Sequence, residues 1–181
     1  MATNSHPLLT ILHHYHERLE HLLLCQQEAL IHLDFELACQ IFTHYQGLLS
    51  AHIQLENKLL LPLHEKVGET RWATSLYEHE HNKILTLVAR AQEKLAAAKQ
   101  DKTPSKRRIA IALLDYQKTL KGVLEHHEQR EEQGLIVELS AYLDPVTEQA
   151  LAEQCEAQWQ HDFSEKEEAL EPLLKQLDLT L

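Results

Sequence analysis

Two segments of this chain put ionisable residues where a buried helix would put leucine. His52 to Pro62 reads HIQLENKLLLP, and His127 to Val137 reads HEQREEQGLIV. In each, His and Glu stand four residues apart, so on a helix they share one face a turn apart. Each pair then leads through polar residues into an apolar run, beginning at Leu59 in one and Leu135 in the other. Upstream, Ile41, Tyr45 and Leu48 step toward His52, and Leu113, Tyr116, Leu120 and Leu124 step toward His127, by threes and fours. That period predicts two amphipathic helices whose apolar stripes run through the His–Glu pairs. A carboxylate buried without a partner costs several kcal/mol, so Glu56 needs a cation or hydrogen bonds on this face. Imidazole nitrogen and carboxylate oxygen offered together suit a first-row transition metal. Offered twice, they suit a two-metal site inside a helical bundle.

The remaining helices carry the same anomaly. Helix one is expected to start at Asn4 or Ser5 as N-cap, with Pro7 in its first turn. Its stripe of Leu9, Leu12, Leu19 and Leu23 is continuous only through His16. His13 lies at the edge of that stripe, and His14 and His21 fall off it, as surface or boundary histidines do. Helix two is expected from near Asp34 to about His64, with Leu59 and Leu63 completing its stripe. Pro62 should kink its last turn, and Gly68 should end the region. His44, two turns before His52, is about 12 Å away along the axis and too far to join it. Helix three is expected from about Glu69 to Gln100, with Tyr77, His81, Ile84, Val88, Ala91 and Leu95 inward and His79 outward. Thr103 and Pro104 are expected to open helix four, which should end near Asp144–Pro145. Its spacing selects His127 over His126 and Glu131 over Glu132.

Counting from turns near residues 33, 68 and 103 tests whether these residues meet. His16 and His52 lie 17 and 19 residues from the first turn. Glu56 and His81 lie 12 and 13 from the second, and His81 and His127 lie 22 and 24 from the third. Antiparallel helices would bring each pair within about 3 Å of one height. All six residues therefore belong to one layer of an up-down-up-down four-helix bundle.

Composition narrows the alternatives. Only 4 Gly and 5 Pro in 181 residues favour an all-α chain with few connections. The expected organisation is a four-helix bundle over residues 1–143 and a C-terminal helical extension over 144–181. In the extension, Pro145 after Asp144 and Ser164 before EKEE each offer a helix start. Its leucines and Trp159 would pack on the bundle or form a homodimer surface. A net charge of −11 leaves no basic surface to neutralise phosphates, which argues against nucleic acid. No apolar run reaches membrane-spanning length, and the N-terminus does not read as a signal peptide. Three widely spaced cysteines imply no disulfide framework and fit a cytoplasmic setting.

With His16, His52–Glu56, His81 and His127–Glu131 in place, residues 5–143 resemble the hemerythrin-like family, the HHE cation-binding domain. The resemblance rests on the HxxxE segments followed by apolar residues, the paired helix hairpins and the Glu80–His81 dipeptide before Ile84. It implies a non-haem di-iron centre. His16 and His52 would hold one iron, His81 and His127 the other, with Glu56 and Glu131 bridging and an oxo or hydroxo bridge admissible. Oxygen-carrying hemerythrins have a further His where this chain has Tyr77, and usually bridge with Asp where it has Glu131. Both metals would thus keep open positions. Tyr77 would hydrogen-bond a bound ligand or pack, with phenolate ligation the less favoured role. The related iron–sulfur repair proteins carry a cysteine-containing N-terminal domain, which is not expected here.

Two function classes follow. One is a binding or sensing module for O2, NO or iron. The other is a di-iron enzyme that reduces peroxide or NO, or oxidises Fe(II).

Overall fold

A computed structural model describes residues 6–102 and 105–177, and the regular structure of these residues is entirely helical. Helix α1 spans Pro7–Ile31 and α2 spans Phe35–Leu55, continued by a π-helical segment, Glu56–Leu60, into the short α3, Leu61–His64. Helix α4 spans Thr74–Gln100. Helix α5, Lys106–Arg130, is continued by a second π segment, Glu131–Leu135, into α6, Ile136–Tyr142. Helix α7 spans Pro145–Lys175. The start expected at Asn4 or Ser5 and the cap expected at Thr103–Pro104 lie outside the described residues.

Local chemistry sets several boundaries. Asp34 caps α2 by accepting the Leu37 N–H at 2.9 Å. Before it, Leu33 takes a left-handed φ of 62°, and the N–H groups of Leu33 and Asp34 return to the carbonyls of Leu30 and Ala29. That pairing satisfies the end of α1 and makes its turn tight. Asp144 caps α7 through the N–H groups of Val146 and Thr147, with Pro145 in the first turn, as expected. The second start offered at Ser164 does not occur. Trp159, Phe163, Leu170 and Leu174 keep a buried face through that point, and α7 continues as a single helix.

Helix α4 begins at Thr74, five residues later than the sequence suggests. Residues 65–73 instead cross the end of the helices. The Arg71 N–H donates to the Glu138 carboxylate, and Trp72 packs against an apolar cluster that contains Tyr77 and Leu139. Buried His64 ties this crossing down through Thr74 Oγ1 at 2.8 Å and Glu138 Oε2 at 2.7 Å.

The helices close a circuit: α1 packs on α2, α2 on α4, α4 on α5, and α5 back on α1. Helix α7 lies against α1 and α2, so the apolar face considered for dimerisation is covered within the chain. The buried apolar residues fall into two clusters. One holds Tyr15, Leu19, Ile53, Ile84, Leu124 and Trp159; the other holds Leu12, Leu55, Tyr77, Leu135 and Cys155. Between these clusters, on α1, α2, α4 and α5, sit the buried His16, His52, His81 and His127. Cys25, Cys39 and Cys155 are buried and free. Among the described residues no helix is long and apolar enough to cross a membrane.

Both π segments begin on a glutamate of an HxxxE motif. The Leu61 N–H reaches the Glu56 carbonyl and the Ile136 N–H the Glu131 carbonyl, each five residues back. One inserted residue turns the following helix by about 100°. The expected stripe therefore fails after Glu56: Leu59 and Leu63 are half-buried, while Leu60, Leu61 and His64 face inward. The first π turn precedes Pro62, which has no N–H for the Lys58 carbonyl and would crowd it in a regular helix. The second is held by Tyr77. Its hydroxyl accepts the Leu135 N–H at 3.1 Å and donates to the Arg130 carbonyl at 3.3 Å. Gly134 permits this approach, since a Cβ there would lie 2.8 Å from the Tyr77 oxygen and 2.6 Å from the Trp72 ring. Within α5 the stripe also shifts: Gln117 is buried where Tyr116 was expected, and donates to Gln26 Oε1 at 2.9 Å.

Candidate metal centre

Six side chains converge between the two apolar clusters: His16 from α1, His52 from α2, Glu56 from the first π segment, His81 from α4, His127 from α5 and Glu131 from the second π segment. None is more than 4% exposed, and both glutamates are fully enclosed. Their neighbours confirm the helical register, since His126, His79, His13 and His14 are exposed.

The donors form two overlapping groups. His16, His52, Glu56 and Glu131 make one, and Glu56, His81, His127 and Glu131 the other; within each, the ligand atoms lie within 4.8 Å of one another. The glutamates are common to both. Glu131 Oε1 is 2.9 Å from His127 Nε2 and 3.6 Å from His81 Nε2, while its Oε2 is 3.4 Å from His16 Nε2. Glu56 sends Oε1 to 3.3 Å from His52 Nε2 and Oε2 to 3.2 Å from His81 Nε2. Each carboxylate thus turns one oxygen to each histidine pair. His16 and His52 present their Nε2 atoms to each other at 3.1 Å.

Both oxygens of Glu56, both of Glu131 and Nε2 of His81 are buried without a hydrogen-bond partner. Buried polar atoms are otherwise almost always satisfied. Ligands about 2.1 Å from one metal and a right angle apart are separated by roughly 3 Å, the spacing seen here. These residues can hold a metal ion, and the orphaned atoms mark where it would sit.

Without metal, protons take over the compensation. Burial lowers the basicity of His16, but the Glu131 and Glu132 carboxylates outweigh it and raise its pKa to about 10. Burial likewise opposes protonation of His81 and His127. For His81 the Glu131 and Glu56 carboxylates prevail and raise it to about 9; for His127, Glu131 and Glu80 raise it to about 10. His52 goes the other way: burial lowers it to about 4, assisted by the His16 charge and opposed by Glu56. Burial disfavours ionised Glu131, yet His127, His16 and His81 hold its pKa well below the usual carboxylate range. The metal-free cluster is therefore an ion network in which three imidazolium groups surround the Glu131 carboxylate.

The structure also supplies partners that the apolar stripe does not reveal. Glu80 Oε2 is 3.1 Å from His127 Nδ1, and its other oxygen accepts from Arg130. Asn57 Oδ1 is 2.8 Å from His81 Nδ1. Each stands next in sequence to a cluster residue, Glu80 before His81 and Asn57 after Glu56, and that adjacency was the only signal available. On the opposite side, Tyr15 and Trp159 wall the His52 ring, with centroids 6.1 and 5.9 Å away.

Tyr77 is fully buried beside the second π segment. Its hydroxyl serves the backbone beside Glu131, and burial raises its pKa, disfavouring phenolate. Removing that hydroxyl strands the buried Leu135 N–H. Tyr77→Phe is accordingly expected to lower stability by about 1–3 kcal/mol. Denaturant unfolding checks this, and an unchanged midpoint would mean that the π turn does not need the hydroxyl.

No family model, no curated protein and no solved structure matches the chain.

Proposed function

We propose that this chain is a non-haem di-iron protein of the hemerythrin-like type, an up-down-up-down four-helix bundle carrying a C-terminal helix. The observation that supports it most strongly is the sharing of Glu56 and Glu131 between two histidine pairs. A single metal has no use for two carboxylates and four imidazoles, because six protein ligands would close it to any further ligand. Two metals use the whole set. His16 and His52 would hold one iron and His81 and His127 the other, while Glu56 and Glu131 would bridge. Iron is favoured over zinc and manganese by the family resemblance, since nitrogen and oxygen donors alone accept all three.

When bound, such a centre would supply reversible one-electron chemistry. The protein would supply four imidazoles, two carboxylates placed to bridge and exclusion of water. Because the six ligands are all but sealed from solvent, the site suits a diatomic molecule better than an organic substrate. The proposed role is therefore binding or sensing of O2 or NO, with the C-terminal helix available to relay the loaded state.

Rapid mixing of the iron-loaded, reduced protein with O2 tests this. The expected result is an absorbance change that persists and reverses when O2 is removed. Continued O2 consumption over many turnovers would replace the binding role with an enzymatic one, such as peroxide or NO reduction or Fe(II) oxidation.

A further inference from the structure

The two histidine pairs are supported unequally, and we infer that the two metal positions fill in order: His81–His127 first and tightly, His16–His52 second and exchangeably. This rests on the two-metal reading above and adds a property that equal ligand sets would not have.

Each position offers two imidazoles and shares the same two carboxylates. The difference lies behind the rings. Nδ1 of His127 faces the buried Glu80 carboxylate, itself fixed by Arg130. Nδ1 of His81 faces the Asn57 side-chain oxygen. An acceptor at Nδ1 keeps a proton there when the ring gives up its other one, so Nε2 is the nitrogen that metal binding frees, and it is already aimed at the centre. The anionic Glu80 also makes His127 a stronger donor. Nδ1 of His16 and Nδ1 of His52 are buried with no hydrogen-bond partner. The nearest carboxylate to His16 Nδ1, Glu132, is 3.9 Å away and lies 3.1 Å from His13. Metal at this pair therefore requires two rings to bury an Nδ1–H without an acceptor. Their rings are held by edge contacts with each other and, for His52, with Tyr15 and Trp159.

Outer partners of this kind typically change metal affinity by about 10–100-fold. The chain should accordingly hold one metal at low free-ion concentration and two at high, so that its loaded state reports divalent metal supply across the second step. Glu80 and Asn57 act here as positioning residues, and neither is a ligand.

The test is a titration of the metal-free full chain with Co(II), followed by visible absorption, which responds to each cobalt's ligand set. Wild type should show two steps of one ion each, separated by about 10–100-fold in affinity. His16→Ala should abolish the weaker step and spare the tighter, whereas Glu80→Gln should weaken the tighter step by a similar factor and alter its spectrum. A purely structural role for Glu80 would lower the melting temperature and leave the affinity and spectrum of the first step unchanged, which would overturn the inference. So would two equal steps in wild type, or survival of only the weaker step in His16→Ala. Fewer than two Co(II) bound by wild type would instead overturn the two-metal reading itself.

Discussion

Replacing Glu131 by Gln is expected to lower the metal content from about two per chain toward one or none, because two cations then share one bridging charge in place of two. The two oxygens of Glu131 face different histidine pairs, so the loss falls on both metal positions at once. Glutamine keeps the shape of the side chain but turns an amide N–H2 toward one of them. Glu56→Gln should act alike, since its oxygens divide between His52 and His81. The fold should survive both changes. In the metal-free state the histidines that balance Glu131 can release their protons, which avoids leaving an unpaired buried charge. Glu132→Gln is the control: its carboxylate lies beside His13 at 3.1 Å, outside both donor groups. Metal analysis of the three variants decides. Equal loss from the Glu131 and Glu132 variants would mean that the helical register is wrong, and two metals kept in both the Glu56 and Glu131 variants would remove the bridges.

Metal-free and metal-loaded protein should respond to pH in opposite senses. His16, His81 and His127 have folded pKa values of about 10, 9 and 10, above the ordinary imidazole value of 6.5. The stability they contribute is therefore fully present below about pH 6.5 and is lost as pH rises through 9–10. Glu128, raised by burial to about 7, changes stability in the same direction as pH climbs. In acid the sign reverses. His52, lowered by burial to about 4, and Glu131, held below the carboxylate range, both favour the fold only while they stay unprotonated. Metal needs neutral imidazoles and ionised carboxylates, so loading replaces the protons. The loaded protein should keep its melting temperature between pH 7 and 10, where the metal-free protein loses several degrees, and should lose metal and stability together on acidification. At pH 7, loading should also expel close to the three protons that His16, His81 and His127 carry, measurable as a buffer-dependent binding enthalpy. Parallel pH profiles for the two forms, or metal retained with unchanged melting at pH 4, would contradict this.

How much of the centre could be read from the chain depended on the kind of regularity involved. His16, His52, His81 and His127 stand at helical steps from leucine, isoleucine and tyrosine, and one face of a helix is a property of spacing alone. Distances from the turns then placed them at one height. The glutamates were legible for the same reason. Beyond Glu56 the spacing argument failed, because a π turn inserts a residue and hands the inward face from Leu59 and Leu63 to Leu60 and His64. Pro62 was visible in the sequence as a helix disturbance. Its consequence, a π turn that starts on a cluster residue, was not. The partners behind the rings were hidden more deeply. Glu80 meets His127 and Asn57 meets His81 only once separate helices are packed, and no periodicity within one helix encodes a contact between two. The same holds for the Tyr77 hydroxyl, which reaches a backbone amide on another helix. Residues 69–73 were read as helix because their composition permits it, whereas the Arg71 N–H goes to Glu138 and the Ala73 carbonyl accepts from Leu76 at the start of α4.

The central claim is that six buried side chains hold two bridged iron ions, and iron content together with magnetic behaviour tests it most directly. Protein purified from iron-replete cells should contain about two irons per chain, and in the oxidised state their spins should couple through the shared bridges and give no iron resonance at low temperature. One iron per chain or none, or two irons with independent paramagnetic signals, would contradict it.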